Sequence, residues 1–214
     1  MNAPNVSGFP RALAALFVIQ FLAWSAMFAL WITAVPIVAG QVLHLPAGGG
    51  ETLQPAIVTI ALGFAGYALV GAVGAFVVPS LVARLGHGAV LGIALLIGAA
   101  GLALFARAQS AAGLVPAFAA IGVGWSAIGA VPYAIVGKMV PEGQGARTMR
   151  LFALSTVFPQ IVTTLALALF LPRVFASGPA GAVMAGAAAM ALAGVIALAL
   201  RSWFAPADAE ADDW

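Results

Sequence analysis

Six long apolar runs constrain this chain more than any other feature of its sequence. A transmembrane helix needs about 20 predominantly apolar residues, whereas a membrane-spanning β-strand needs about 9–11 residues of alternating polarity. The runs here are continuous and rich in Ala and Leu, which excludes a barrel and predicts an all-α membrane protein with six transmembrane helices. They lie at residues 12–38, 56–82, 89–106, 111–136, 151–171 and 180–200.

The composition leaves little chain for a soluble domain. Of 214 residues, 64% are apolar and 7% are charged, against about 45–50% and about 25% in soluble domains. We therefore expect one six-helix transmembrane domain over residues 12–203. Residues 1–11 form a short N-terminal segment and residues 204–214 an acidic tail, both on the cytoplasmic side.

Lys and Arg are unequally divided between the two sides that six spans define. One side carries Arg11, Arg84, Lys138, Arg147, Arg150 and Arg201, and the other carries only Arg107 and Arg173. Loops rich in Lys and Arg stay in the cytoplasm, so both termini are predicted to be cytoplasmic. Seven Arg against one Lys, with abundant Ala and Gly, indicate a GC-rich bacterial genome and hence a bacterial inner membrane.

Several functional classes lack the residues they need. The chain has no Cys, no metal-spaced His pair and no Gly-x-Ser-x-Gly motif, so we expect no enzyme, no metal and no cofactor. Its isoelectric point near 9.7 comes without a basic face, which argues against a nucleic-acid partner. No Asp, Glu, Lys, Arg or His lies deep within a predicted span, so the chain alone lacks the groups that proton or ion coupling requires.

Polar side chains are confined to four of the six predicted helices, where they lie with aromatic residues at a spacing that places them on one helix face. Helices 3 and 6 have none. Because an unsatisfied polar group in hydrocarbon costs several kcal/mol, these stripes predict four inner helices, with helices 3 and 6 facing lipid. Alternatively, Ser and Thr bond to their own helix and small residues only pack helices together. The stripes are Gln20, Trp24, Phe28 and Trp31; Thr59, Gly63 and Tyr67; Trp125, Gly129 and Tyr133; and Thr156, Gln160, Thr163 and Thr164.

A weak repeat relates the two halves of the chain. The tripeptide Trp24-Ser25-Ala26 in helix 1 recurs as Trp125-Ser126-Ala127 in helix 4, and Pro79 near the end of helix 2 corresponds to Pro172 in helix 5. Three helices is an odd number, so a duplicated three-helix unit would be inverted in the membrane, as in transporter folds.

The stretch from Gly122 to Ala134, with Trp125, Pro132 and Tyr133, resembles the tenth helix of one branch of the major facilitator superfamily. That branch is sucrose/proton-symporter-like and related to the glycoside–pentoside–hexuronide transporters. Helix 1 is similar to the seventh helix of those proteins. The resemblance extends over residues 11–200 and covers only the C-terminal half of such a transporter. It continues at Pro141, Met149, Phe152, Pro159 and Gln160.

The resemblance implies half of a major facilitator fold, a 3+3 inverted repeat. Complete transporters of this kind have twelve helices in two halves, so the implied partner is a second six-helix half, from the same chain or from another. The sequence departs from the branch in its cytoplasmic loops. Lys138 replaces an Asp, Arg150 a Gly, Ala153 an Asn and Thr148 a Tyr, and Ala83 stands where an acid precedes Arg84.

Two functions follow as hypotheses. The first is a carrier half that moves a neutral sugar- or glycoside-like solute by alternating access, with Arg84, Lys138, Arg147 and Arg150 as gate or topology residues. Aromatic rings would stack on the solute, and amides and a hydroxyl would hydrogen-bond to it. The second is a non-transporting subunit that docks on a larger membrane complex; a truncated or decayed transporter is a further possibility. The candidate binding residues are Gln20, Trp24, Trp31, Tyr67, Trp125, Tyr133, Gln160 and Thr164.

Overall fold

A computed structural model describes residues 9–46, 49–140, 145–174 and 178–204 of the chain. Six long helices account for most of these residues, and each is long and apolar enough to cross a membrane. The prediction of an all-helical protein with six candidate spans is therefore confirmed. The helices are α1 (Phe9–Ile37), α2 (Gln54–Leu85), α3 (His87–Ala106), α4 (Ala111–Met139), α5 (Gly145–Val174) and α6 (Pro179–Ala199).

Several helices extend beyond the apolar runs that predicted them. Helix α1 begins at Phe9, inside the predicted N-terminal segment, and α5 begins at Gly145, six residues before its apolar run. An apolar run marks only the part of a helix that hydrocarbon can solvate, whereas backbone hydrogen bonds continue through residues such as Arg147 and Arg150. Residues 1–8, Pro141 and the acidic tail after Phe204 lie outside the described residues.

The helices pack in an order that repeats between the two halves of the chain. Helix α3 packs on α4 as α6 packs on α1, and α2 packs on α4 as α5 packs on α1. The pair α3 and α6 forms the remaining large contact. Exchanging α1, α2 and α3 for α4, α5 and α6 therefore leaves the pattern of large contacts unchanged, as a three-helix duplication requires.

Burial within this six-helix chain does not follow the predicted division into inner helices 1, 2, 4 and 5 and lipid-facing helices 3 and 6. Helix α3 is the most buried of the six, and α2 and α5 are the most exposed. Glycines explain why: a Cβ atom on Gly98 would lie 3.1 Å from the Cα of Gly124 on α4, and one on Gly92 would lie 2.8 Å from the carbonyl oxygen of Gly194 on α6. Close approach of small residues, not polar stripes, decides which helices are central.

Contacts between helix ends bring six cations to one end of the helix bundle. A Cβ atom on Gly88 would lie 2.7 Å from the Cα of Arg201, and Met149 reaches Gly137 beside Lys138. Arg107 and Glu51 lie at the opposite end. We call the first of these the cationic end; its residues are Arg11, Arg84, Lys138, Arg147, Arg150 and Arg201.

The orientation of the cationic end can be tested with single cysteines, because the chain has no cysteine of its own. Gln109, between α3 and α4, and Ser202, after α6, are exposed at opposite ends. If the cationic end is cytoplasmic, a membrane-impermeant maleimide added to spheroplasts should modify Gln109→Cys and leave Ser202→Cys unmodified. Both should react after the membrane is disrupted. Modification of Ser202→Cys alone in intact spheroplasts would reverse the orientation.

Candidate functional site

Four predicted site residues from three helices form one aromatic cluster: Trp24 and Trp31 on α1, Tyr67 on α2 and Trp125 on α4. The indole of Trp125 is central, with its ring centroid 5.4 Å from that of Trp24, 5.6 Å from that of Trp31 and 5.8 Å from that of Tyr67. All three pairs meet edge to face, the arrangement that ring quadrupoles favour. The tryptophans of the two repeated Trp-Ser-Ala segments thus contact each other.

Glycine on α2 allows Trp125 to lie against that helix. A Cβ atom on Gly71 would lie only 2.9 Å from Cδ1 of Trp125. From the other side, a Cβ atom on Gly122 of α4 would lie 2.7 Å from the carbonyl oxygen of Tyr67. The backbones of α2 and α4 therefore approach closely at the level of the cluster, and this approach holds Tyr67 and Trp125 together.

Gln20 is a buried polar group without a partner. Its side chain is fully buried, and neither Nε2 nor Oε1 has a hydrogen-bond partner in the part of the chain that the structure describes. The indole Nε1 of Trp24, one helical turn away, and the hydroxyl of Ser25 are also without partners. Buried amides normally find partners, so these groups on α1 would be satisfied by water or by a solute that reached this level of the helix.

Tyr133 belongs to a second ring cluster, nearer the cationic end. Its ring centroid lies 5.1 Å from that of Phe152 on α5, and Phe152 lies 5.5 Å from Phe17 on α1. Gln20 is three residues from Phe17 and four from Trp24, so along α1 it lies between the two clusters. Tyr133 is thus separate from the aromatic cluster, because about two turns of α4 lie between it and Trp125.

Gln160 and Thr164 do not join the aromatic cluster. Both side chains are exposed on α5, whereas Thr163 and Ser155 on the same helix are buried. Gln160 and Thr164 share one face because they are four residues apart. In hydrocarbon the carboxamide of Gln160 would have no hydrogen-bond partner. This face of α5 therefore requires contact with other polar groups or with water.

The four predicted gate or topology residues, Arg84, Lys138, Arg147 and Arg150, all lie exposed at the cationic end. The Nε–H of Arg150 donates to the carbonyl oxygen of Ala146 at 3.1 Å, which directs its guanidinium away from the centre of the helix. Among the described residues, the only carboxylate side chain is that of Glu51, at the opposite end. The described part of the cationic end is therefore uniformly positive.

The sequence reading missed several members of the site. Phe64 on α2 contacts both Tyr67 and Phe118 of α4, with ring centroids 5.5 and 5.7 Å apart, and so extends the aromatic cluster. Ser155 is buried, with its hydroxyl unpartnered. Ser155 lies on a helix with several other polar residues, and nothing in the sequence distinguishes it from them. Phe64 was missed because Phe is common in apolar runs and does not by itself indicate a binding site.

No protein-family model matches the chain, and no curated protein matches it. The resemblance to the major facilitator superfamily therefore rests on the residues quoted for it.

Proposed function

We propose that this chain is half of a membrane solute carrier, completed by a second six-helix half, that moves a neutral sugar- or glycoside-like solute by alternating access. Its setting is the bacterial inner membrane, with the cationic end in the cytoplasm. The observation that carries the proposal is the aromatic cluster beside the unpartnered carboxamide of Gln20. Rings that stack on apolar faces, together with neutral hydrogen-bonding groups and no charge, suit a polyhydroxylated uncharged solute.

The exposed faces of α2 and α5 support pairing with a second half. Phe76 on α2 is 85% exposed. On α5, the exposed Gln160 and Thr164 form a polar face. A second half that covered α2 and α5 would satisfy those groups and would leave α3 and α6 at the periphery of the pair.

The packing repeat also supports the transporter fold. Two three-helix units that exchange without changing the contact pattern match the arrangement expected of a 3+3 inverted repeat. In that arrangement Trp24 and Trp125 are equivalent residues. Because they contact each other, the aromatic cluster would lie at the interface between the two three-helix units. Binding sites in such transporters lie at repeat interfaces near the bilayer midplane.

A second candidate function is supported by a different observation. The four rings of the aromatic cluster pack on one another, and Trp24 is only 8% exposed. Rings that pack on one another in this way also suit a structural role. They would stabilise a subunit that docks on a larger membrane complex and transports nothing. The two candidates differ in what Gln20 does, since only a carrier needs its carboxamide.

Replacing Gln20 by leucine separates the two candidates. Leucine has a similar volume and removes a buried unsatisfied amide, which costs roughly 1–3 kcal/mol, so the variant should unfold at a higher temperature than the parent. The carrier should at the same time lose solute affinity by at least about tenfold, equivalent to about 1.4 kcal/mol. Thermal unfolding and equilibrium binding of a panel of sugars and glycosides to purified protein measure the two effects.

Gln109→Leu is the matched control, because Gln109 is exposed in the connection between α3 and α4. It should change neither property. A Gln20→Leu protein that is more stable and binds the panel as the parent does would remove the carboxamide from the site and favour the docking subunit.

A further inference from the structure

An apolar groove runs between α1 and α5 near the cationic end, on the surface of the described chain. Its volume is about 520 Å³, within the range of roughly 300–1,000 Å³ typical of small-molecule sites. Ser155 supplies the one polar side chain of its lining. The lining residues are Phe17, Val18, Phe21, Leu22, Leu154, Ser155, Val157, Phe158, Pro159 and Ile161.

Cations stand on the groove side of both helices, between the groove and the end of the bundle. On α1, Arg11 precedes Val18 by seven residues and Leu22 by eleven, the spacing of one helix face. On α5, Arg147 precedes Leu154 by the same seven residues, and Arg150 precedes it by four. All three arginines are exposed.

Ser155 fixes the distance between the arginines of α5 and the groove wall. Ser155 is 2% exposed, its Oγ has no partner among the described residues, and it lines the groove. It follows Arg150 by five residues, about 7.5 Å along the helix. Read from the end of the bundle inwards, the surface therefore presents guanidinium groups and then an apolar channel.

We propose that this surface binds an anionic phospholipid of the leaflet at the cationic end. Arg147, Arg150 and Arg11 contact the phosphate headgroup, and one acyl chain fills the groove between α1 and α5. The order of chemical groups on the protein is the order along a phospholipid molecule. Opposite charge selects an anionic lipid over a zwitterionic one.

The site is separate from the proposed solute path. Phe158, which lines the groove, lies about 160° around α5 from Gln160 at 100° per residue. A second half on the polar face of α5 and a lipid in the groove can therefore be bound together. The lipid proposal stands on its own residues and does not depend on the transport proposal.

The chain offers an internal comparison. A groove of about 440 Å³ lies between α2 and α4, helices that correspond to α5 and α1 in the packing repeat, and its lining includes Thr59, Val115 and Phe118. It opens near the opposite end of the bundle, where Glu51 stands at the start of α2. This second groove has an apolar lining and only Arg107 and Glu51 as described charges at its end of the bundle, without a counterpart of Arg147 and Arg150, so it should retain less anionic lipid.

The test is lipid retention measured by native mass spectrometry of the full chain. The protein is released from nanodiscs made of equal parts phosphatidylglycerol and phosphatidylcholine. The parent should retain phosphatidylglycerol preferentially, and Arg147→Gln with Arg150→Gln should lower that retention by about tenfold. Leu154→Trp, which fills the groove and keeps every charge, should lower it similarly.

Two matched controls test whether lipid retention depends on this groove and on its own arginines. Arg84→Gln with Arg201→Gln removes two cations from the same end but away from the groove, and Val115→Trp fills the groove between α2 and α4; both should retain lipid as the parent does. Equal loss in the two charge pairs would mean general attraction to surface charge and overturn the site. Unchanged retention in Leu154→Trp would also overturn it.

Discussion

Replacing Gly124 by valine is expected to disrupt the packing of the bundle. A Cβ atom on Gly124 would lie 2.9 Å from the Cα of Gly98 and 3.4 Å from the carbonyl oxygen of Ala94, both on α3. Neither neighbour is a side chain that can rotate away, so α3 and α4 must separate. Overpacking of cores typically costs about 1–3 kcal/mol, and displacement of a whole central helix should exceed that range.

The expected result is a loss of at least about 3 kcal/mol, which for a chain of this size corresponds to a fall of roughly 6–12 °C in unfolding temperature. Gly129→Val is the control on the same helix, because a Cβ atom there meets nothing within 4 Å. Thermal unfolding in one detergent measures both variants. Equal stability of the two would contradict the close crossing of α3 and α4.

Replacing Trp125 by alanine is expected to have the largest effect on solute binding. The indole contacts the rings of Trp24, Trp31 and Tyr67, so its removal opens the centre of the aromatic cluster. Aromatic pairs contribute about 0.5–1.5 kcal/mol each beyond their buried area. Loss of three pairs and of one stacking surface should lower solute affinity by more than about 100-fold, or about 2.8 kcal/mol.

Trp203→Ala provides the matched control. Trp203 is 44% exposed in the turn after α6 and lies outside the aromatic cluster. Its variant should bind solute as the parent does, whereas Trp125→Phe should retain part of the affinity because a ring remains. Equilibrium binding to each purified protein makes the comparison. Similar affinities for Trp125→Ala and Trp203→Ala would exclude the cluster from the binding site.

The number and approximate position of the helices follow from the sequence alone. Hydropathy identifies segments that are long and apolar enough to cross a bilayer. Each of the six runs of 18 or more residues forms a helix. The helix ends were less accurate because polar residues such as Arg147 continue a helix beyond the hydrocarbon. Helix α5 therefore begins at Gly145, ahead of its apolar run.

The packing order could not be predicted from polarity. Polar stripes gave α1, α2, α4 and α5 as the inner helices, yet α3 is the most buried. The deciding contacts are between glycines, such as Gly98 with Gly124, and a glycine in an apolar run of Gly and Ala carries no sign of its partner. Contact partners depend on the rotation of two helices about their axes, which a single sequence does not specify.

The candidate site was predicted in part. Helical spacing placed Trp24 and Trp31 on one face of α1, and the structure brings both to Trp125 and Tyr67. Tyr133 shares a face of α4 with Trp125 and yet contacts Phe152 instead, because two turns separate the residues along α4. Gln160 and Thr164 share a stripe too, but the side of α5 on which they stand is exposed.

The central claim is that this chain is one half of a carrier and acts with a second half. Native mass spectrometry of the particle released from membranes by gentle detergent or nanodiscs tests it most directly. The account predicts either twice the 21.4 kDa of one chain, or one copy with one further six-span protein. A single chain alone, or one copy within a large complex that has no other six-span half, would contradict it.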